Sequence, residues 1–297
     1  MNKSYFYAAI TVAIWSTMAP VVKSVLNEVP NLEAISVSSF FSSLALLAAN
    51  ILSGNLKRLR SHTAKDIGEM AVLGLLVFLY CVLYYYGLSQ LTSQEACILS
   101  YLWPLMLVLF SVFLLHEKLT VMKVVAMLCS FAGIVILTYG PEELNEGNGM
   151  LGILGCVAAA ACYGLYSVLN KKQGHDQNSA MLVIWLTVTV CSIPIGPLTE
   201  TWIPIKGMQW FGLFWMGVMT NAIAYMTWAL ALRETDNTAV VANMAYLVPF
   251  LSLIISAILL GEEIHARAVI ALLFIVGGIL AQSLHSGKKN HSLVKKV

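Results

Sequence analysis

The chain has 297 residues, of which 59% are hydrophobic and only 11% are charged, with a formal net charge of +2. A soluble globular protein normally carries about a quarter charged residues, so this composition excludes an ordinary soluble domain. We therefore expect a protein that lies in a lipid bilayer.

The apolar runs match the roughly 20 residues of helix that cross a hydrocarbon core about 30 Å thick. Backbone polar groups in lipid must be satisfied within their own segment, so these runs predict helices. The expected fold class is an all-α integral membrane protein with ten transmembrane helices. In chain order they are residues 5–26, 33–53, 67–88, 95–115, 120–139, 150–171, 179–196, 208–232, 237–260 and 266–285.

The distribution of lysine and arginine predicts the orientation of the helices. Positively charged residues favour the cytoplasmic side of short loops. With the N-terminus inside, fourteen of the 17 Lys and Arg residues are cytoplasmic, and only Lys23, Lys206 and Arg267 lie outside. Both termini are then cytoplasmic, and residues 286–297 form a basic tail.

The chain also contains an internal duplication. Residues 101–134 align with residues 246–279 without a gap, at an offset of 145, and twelve of the thirty-four positions are identical. The sequence predicts a first five-helix repeat at 1–145 and a second at 146–285. Because five is odd, the repeats have opposite orientations, which is typical of secondary transporters. Shared positions include Tyr101 and Tyr246, Pro104 and Pro249, Glu117 and Glu262, and Gly133 and Gly278.

Nothing in the sequence indicates catalysis. The six cysteines lie in apolar segments without a CxxC pair, and the six histidines lie at helix ends or in loops, with no pair at metal-ligand spacing. We therefore expect no enzymatic activity, no cofactor and no metal.

An aromatic residue followed by lysine recurs in the opening helix of each half, as Trp15 with Lys23 and Tyr163 with Lys171 or Lys172. Together with the shared proline, glutamate and glycine positions, this pattern resembles the EamA-type branch of the drug/metabolite transporter superfamily over the whole chain. The resemblance implies two inverted five-helix repeats.

Within that family, the chain is most similar to bacterial aromatic amino acid exporters. The similarity lies in the segments 14–18 and 101–104, in Glu95, in Tyr225 with Trp228, and in the segment 246–252. Those exporters present a tryptophan to the central cavity from the sixth helix, where this chain has Tyr163. The change keeps an aromatic face, adds a hydroxyl group and puts tryptophan-sized substrates in question.

Polar and aromatic side chains deep in a membrane helix avoid lipid, because an unsatisfied polar group in hydrocarbon is costly. Such residues occur on corresponding helices of both halves and predict a site between the repeats. The candidate substrate-binding residues are Trp15, Thr17, Tyr80, Tyr84, Ser100, Tyr101, Tyr163, Tyr166, Asn221, Tyr225, Trp228, Asn243 and Tyr246.

Five further residues are candidates for coupling or gating: Glu95, Pro104, Pro249, Glu117 and Glu262. Glu117 and Glu262 are expected to cap the helix that follows each of them, with gating as the alternative. Glu95 is expected either to face water or to couple transport to the proton gradient. The prolines are expected to kink their helices, which would also help each half to rock.

Taken together, the residues and the resemblance imply a multi-pass exporter in the bacterial inner membrane. Its expected substrates are amino acids with aromatic or other apolar side chains, or related small metabolites, moved by alternating access around an aromatic cavity. Export of cationic amphiphiles is the first alternative, and a non-transporting membrane scaffold is the second. The expected partners are an amphipathic, zwitterionic small molecule and membrane lipid, and no nucleic acid is expected. The expected oligomeric state is a monomer or a homodimer.

Overall fold

The computed structural model describes residues 3–116, 120–138, 149–233, 244–278 and 280, and all regular secondary structure in these residues is helical. This confirms the all-α prediction. The elements are α1 (Lys3–Ser16), α2 (Met18–Leu26), α3 (Asn31–Leu52), α4 (Leu56–Arg60), α5 (Ala64–Gln90), α6 (Ser93–Ser100), α7 (Trp103–Leu114), α8 (Val121–Thr138), α9 (Gly149–Gln173), α10 (Gln177–Thr199), α11 (Met208–Phe214), a π-helical segment (Trp215–Ile223), α12 (Ala224–Arg233), α13 (Leu247–Leu260) and α14 (Ala266–Gly278).

Six helical stretches in the described residues are long and apolar enough to cross a membrane: Lys3–Leu26, Asn31–Leu52, Ala64–Gln90, Ser93–Leu114, Gly149–Gln173 and Gln177–Thr199. Shorter apolar helices include α13 and α14. Large hydrophobic side chains such as Leu52, Leu198 and Ile258 are exposed on the outside of the bundle, where lipid would cover them. The membrane prediction is thus confirmed, while the total of ten spans stays a prediction.

Two of the long stretches are broken near their middle. The first is interrupted at Thr17, and the fourth is interrupted at Tyr101 and Leu102. Pro104 is the second residue of α7, and Pro249 is the third residue of α13. Proline is tolerated in the first turn of a helix, where its missing N–H has no intrahelical partner. These prolines therefore begin new helices after a break and do not bend continuous ones.

The helices of the two halves pack in a symmetric pattern. Helix α1 packs against α12, α5 packs against α9, and α3 packs against α10. In the predicted repeats, α1 corresponds to α9, and α5 corresponds to α12. The α1–α12 pair therefore corresponds to the α9–α5 pair. The α3–α10 pair maps onto itself. This arrangement is the one expected for a duplicated chain.

Helices α8 and α14 approach each other closely through a glycine from each half. A Cβ atom on Gly133 would lie 2.9 Å from the Ala271 carbonyl oxygen, and one on Gly278 would lie 3.3 Å from the Ala126 carbonyl oxygen. Both the glycines and the alanines are related by the offset of 145. The same contact is therefore made twice, once in each direction, and a side chain at either glycine would push the helices apart.

The two ends of the bundle differ in charge. The Lys-rich end contains the connections from α3 to α5 and from α9 to α10, and there Arg58 pairs with Asp176 at 3.1 Å. Asp176 also caps α10 by accepting hydrogen bonds from Ser179. Burial raises the pKa of Asp176, but hydrogen bonds from Ser179 and Asn55 and the charge of Arg58 outweigh it and hold the pKa below its usual value. The Lys-poor end contains residues 27–30, 91–92, 200–207 and 261–265.

Candidate functional site

A cavity of about 590 Å³ lies between the two halves and extends to the Lys-rich end. Helices α1, α3 and α7 line it from the first half, and α9, α10, α12 and the start of α13 line it from the second. The predicted site residues that line the cavity are Trp15, Tyr101, Pro104, Tyr163, Tyr166, Tyr225, Trp228 and Tyr246. The structure therefore brings eight of the candidates together.

The deep part of the cavity is an aromatic cluster that joins α1, α9 and α12. The hydroxyl groups of Tyr163 and Tyr225 are hydrogen-bonded at 2.8 Å. The ring of Trp15 meets Tyr225 edge-on at a centroid distance of 5.3 Å and lies 5.5 Å from Trp228. Such arrangements fix the ring orientations. The cluster offers a substrate flat apolar faces and a few hydroxyl or indole donors.

The described residues at the mouth of the cavity, at the Lys-rich end, are polar but uncharged. Asn50, Ser53, Asn170, Gln177 and Asn178 line it. Asn50 donates through Nδ2 to the carbonyl oxygens of Leu46 at 2.8 Å and of Asn178 at 3.2 Å, so it joins α3 to α10. No acidic or basic side chain lines the cavity among the described residues. Bound solutes would therefore be recognised by aromatic faces and neutral hydrogen-bonding groups.

Several predicted site residues lie behind the cavity wall. Thr17 donates to the Ile14 carbonyl oxygen and accepts from Trp215 Nε1 at 2.8 Å. Ser100 donates to the Cys97 carbonyl oxygen, and Asn221 donates to Ser42 Oγ at 3.3 Å. For Thr17 and Ser100 these partners account for the hydroxyl groups without a substrate, whereas Asn221 also lines a small second cavity together with Tyr163 and Tyr225.

Two predicted tyrosines support the aromatic cluster from behind. Tyr80 lies 5.1 Å from Tyr163 between ring centroids and stacks on Tyr84 at 5.7 Å. They therefore hold Tyr163 in place. Asn243, the remaining candidate, lies outside the described residues.

Some cavity residues escaped the sequence analysis. Trp103 lines the cavity and meets Tyr163 edge-on at 5.4 Å. Its place beside Tyr101 and Pro104 in the shared segment could have indicated it. The amides at the mouth gave no such signal, because polar residues at helix ends are ordinary in membrane proteins.

At the Lys-poor end, Glu262 connects the two halves. Its carboxylate accepts hydrogen bonds from the backbone N–H of Ser93 at 2.7 Å, from Ser93 Oγ at 3.0 Å and from the N–H of Gln94 at 3.2 Å. We call these contacts the Glu262 anchor. The expectation that Glu262 caps the following helix, α14, is wrong, because the carboxylate instead satisfies the free first-turn N–H groups of α6 in the other half.

Glu95 lies beside this anchor and does not face water. Its side chain is 8% exposed, and its carboxylate accepts from the N–H and hydroxyl of Thr92 while lying 3.6 Å from Arg267. The expectation of a water-facing charge is thus wrong. Lys23 completes the group by donating to the carbonyl oxygens of Leu88 and Leu91 at 2.7 and 2.8 Å. Glu117, the residue that corresponds to Glu262 in the first half, lies outside the described residues.

A multi-pass helical bundle with an aromatic cavity between two similar halves is the architecture of a membrane transporter. The comparison with protein families makes this specific. The chain belongs to the EamA-like transporter family, whose model matches residues 2–139 and 150–284. The resemblance inferred from the sequence is confirmed, and the chain is a multi-pass transporter of the bacterial inner membrane.

Individual relatives are distant and differ in their substrates. The aromatic amino acid exporter YddG of Ancylobacter novellus is 28% identical over 70% of this chain and 73% of its own length. The S-adenosylmethionine uptake transporter of Rickettsia felis is 25% identical over 74% of this chain and 70% of its own length. One solved crystal structure matches with a TM-score of 0.70 at 24% identity, covering 96% of this chain and 98% of that one, which shows a common fold.

Proposed function

We propose that this protein exports amino acids with aromatic or other apolar side chains, or related small metabolites, by alternating access around the central cavity. One observation carries the proposal: a cavity of about 590 Å³, whose described lining is aromatic and uncharged, lies between the two halves of a chain that belongs to a transporter family. Among its relatives is a protein named as an aromatic amino acid exporter. That name supports the substrate class.

The proposed architecture has ten transmembrane helices in two inverted repeats, 1–145 and 146–285, with both termini and the 286–297 tail in the cytoplasm. The symmetric helix pairs and the reciprocal contacts of Gly133 and Gly278 support the repeats. In the predicted orientation the Lys-rich end is cytoplasmic. The described conformation then corresponds to an inward-open state, with the cavity mouth at the cytoplasm and the Glu262 anchor closing the outer end.

The cavity chemistry suits a small zwitterion. The apolar side chain of an amino acid would pack against the faces of Trp15, Trp228 and Tyr163, and removing its apolar surface from water would favour binding. Its ammonium group needs an acceptor and its carboxylate needs a donor, and Asn170 can supply both. Asn170 Oδ1 has no hydrogen-bond partner among the described residues, and its Nδ2 donates to Gln177 Oε1 at 3.3 Å with only one of its two hydrogens. A phosphate would need arginine or lysine, and the described lining contains neither.

Gating and coupling are assigned to the residues at the helix breaks and the two ends. We place the outer gate at Glu262 and the inner gate at Glu117, with the breaks before Pro104 and Pro249 as the places where each half bends. Protonation of Glu95 would remove the charge that attracts Arg267, which lies 3.6 Å away. Export coupled to protons would use this step, whereas facilitated diffusion would not need it.

A second candidate substrate class is a cationic amphiphile. A cation placed over the face of Trp or Tyr is attracted by the negative charge of the ring face. The described lining presents several such faces and no basic side chain that would repel a cation. The relative in Rickettsia felis named for S-adenosylmethionine, a sulfonium compound, supports this class.

Flux into liposomes tests the proposal. Purified protein is reconstituted, and the uptake of labelled phenylalanine, tyrosine, methionine and threonine is measured against S-adenosylmethionine and a quaternary ammonium compound. We expect the double variant Tyr163→Ala/Trp228→Ala to abolish flux. The matched control is Tyr5→Ala/Trp210→Ala, which removes the same two residue types from exposed positions outside the cavity.

Three results would contradict parts of the proposal. Unchanged flux in a folded Tyr163→Ala/Trp228→Ala protein would exclude the site. Flux of the cations alone would replace the amino acid class with the cationic one. No flux of any solute by the folded wild-type protein would favour a non-transporting scaffold.

A further inference from the structure

Four side chains with metal-ligating atoms meet at the Lys-rich end, outside the cavity. His62 precedes α5, Asp66 and Glu69 lie in its first two turns, and His175 lies in the connection between α9 and α10. His175 Nε2 is 3.0 Å from Glu69 Oε2. The ligand atoms of Asp66, Glu69 and His175 all lie within 4.8 Å of one another. The cluster therefore combines nitrogen and oxygen ligands from both halves of the chain.

His62 extends this set to two imidazole and two carboxylate groups. Its Nδ1 is 4.0 Å from Asp66 Oδ2, and its ring lies perpendicular to that of His175 at a centroid distance of 6.2 Å. The side chains of His62 and His175 are only 14% and 10% exposed. The Nε2 atom of His62 is buried without a hydrogen-bond partner among the described residues. The other ring nitrogen, Nδ1, faces Asp66 from beyond hydrogen-bond distance. A buried imidazole without hydrogen bonds is costly, and coordination of a cation through either nitrogen would give the ring a partner.

The surrounding charged groups leave the four ligands available. Lys65 lies 3.9 Å from Glu69, but its side chain is 83% exposed and can turn into solvent. Arg58 is paired with Asp176, which is also engaged by Ser179 and Asn55 and so is not part of the set. Thr63 donates to one oxygen of Asp66, Oδ2, and leaves the other oxygen for a ligand.

We propose that His62, Asp66, Glu69 and His175 form a binding site for a divalent transition-metal ion, with Zn²⁺ as the best fit. Zinc takes four nitrogen, sulfur or oxygen ligands in a tetrahedron at about 2.0–2.2 Å, which places the ligand atoms about 3.3 Å apart. The atoms of Asp66, Glu69 and His175 already lie within 4.8 Å of one another, close to this spacing. His62 lies farther out, with Nδ1 4.0 Å from Asp66 Oδ2, and its side chain would have to rotate inward to complete the tetrahedron. Magnesium and calcium prefer all-oxygen sites and fit this set poorly.

A bound ion would tie the two halves together beside the cavity mouth. Three ligands belong to the first half, and His175 belongs to the second, two residues before Gln177, which lines the mouth. The ion would therefore hold α5 against the α9–α10 connection and stabilise the arrangement in which the mouth is formed. Metal binding can be measured without transport, so this inference stands or fails separately from the proposed substrate.

Isothermal titration of the purified, full-length protein with Zn²⁺ tests the site, with a purification tag that lacks histidine. We expect saturable binding of one ion per chain and a higher unfolding temperature with Zn²⁺, because an ion that binds only the folded state stabilises it. The double variant His62→Gln/His175→Gln should lose at least about tenfold in affinity. The matched control, His116→Gln/His265→Gln, removes two exposed histidines that do not belong to the cluster and should bind as the wild type does.

Three outcomes would overturn the proposal. The first is absence of saturable Zn²⁺ binding by the wild-type protein, and the second is unchanged affinity in a His62→Gln/His175→Gln protein that unfolds normally without metal. If that variant does not fold, Glu69→Gln replaces it, and unchanged affinity there has the same meaning. The third is displacement of Zn²⁺ by an equal concentration of Mg²⁺, which would exclude the nitrogen ligands.

Discussion

The Glu262 anchor leads to a prediction about which end of the protein opens. Glu262→Gln keeps the size and shape of the side chain but removes its charge and one acceptor oxygen. The two oxygens of Glu262 now accept from Ser93 N–H, Ser93 Oγ and Gln94 N–H. The glutamine amide offers only one oxygen to these donors. The NH₂ group of the glutamine would face at least one of these N–H or O–H donors and could not accept from it. The first turn of α6 would also lose the negative charge that now lies beside it.

The expected magnitude follows from these contacts. A hydrogen bond to a charged group contributes about 1.5–3 kcal/mol, and an anion at a helix N-terminus contributes about 0.3–1 kcal/mol more. Losing the equivalent of one charged hydrogen bond therefore shifts the balance between the closed and open Lys-poor end by about tenfold to a hundredfold. Glu263→Gln is the matched control, because the Glu263 side chain is exposed and only its backbone carbonyl accepts from Gln94.

Hydrogen–deuterium exchange measures this effect directly, because two of the donors are backbone amides. We expect the amides of Ser93 and Gln94 to exchange at least about tenfold faster in Glu262→Gln than in wild type, as local opening becomes more frequent. In Glu263→Gln, the exchange rates of the Ser93 and Gln94 amides should equal those of the wild type. The exchange rates of the Thr63 and Asp66 amides, at the opposite end, should be unchanged in both variants. Equal exchange of Ser93 and Gln94 in wild type and Glu262→Gln would refute the role of the anchor.

Two further predictions concern stability, measured by unfolding in detergent micelles. Tyr163→Phe leaves the Tyr225 hydroxyl without its partner and should lower the free energy of unfolding by about 1–3 kcal/mol. Tyr163→Phe/Tyr225→Phe removes both hydroxyl groups and should lower it by less. A double variant destabilised by the sum of the two single effects would argue against the hydrogen bond. Gly278→Ala should lower the free energy of unfolding by about 1–3 kcal/mol, because the new Cβ would lie 2.8 Å from Cys129 Cβ. Gly277→Ala is the control: its Cβ would meet no atom within 4 Å, so this variant should be neutral or slightly stabilising. Equal effects at the two glycines would contradict the close α8–α14 contact.

The membrane helices could be predicted because the requirement that produces them is local. A segment in lipid must form its own backbone hydrogen bonds and present apolar side chains, and both properties depend on consecutive residues. The aromatic cluster could be predicted in part for a related reason. Trp15, Tyr163 and Tyr225 are large, partly polar and deep, so they needed a place away from lipid.

Depth and polarity alone did not separate cavity residues from packing residues. Thr17 and Ser100 satisfy their hydroxyl groups on carbonyl oxygens of their own helices, and Asn221 bonds to Ser42 on a neighbouring helix. A polar group deep in a membrane needs a partner, but that partner is usually protein. The proposed metal site was missed for a different reason, because His62 and His175 are far apart in the chain and only the fold brings them together.

The duplication gives the Glu262 anchor a meaning beyond the end at which it lies. At the offset of 145, Glu262 corresponds to Glu117 and Ser93 corresponds to Thr238, so the chain carries an acid and a hydroxyl residue at equivalent positions of both repeats. In the proposed inverted repeats these two pairs would belong to opposite ends of the bundle. A substrate site reached from one end at a time requires that the pairs form in turn. Glu262→Gln should therefore favour the state open at the Lys-poor end, and Glu117→Gln should favour the state described by the structure.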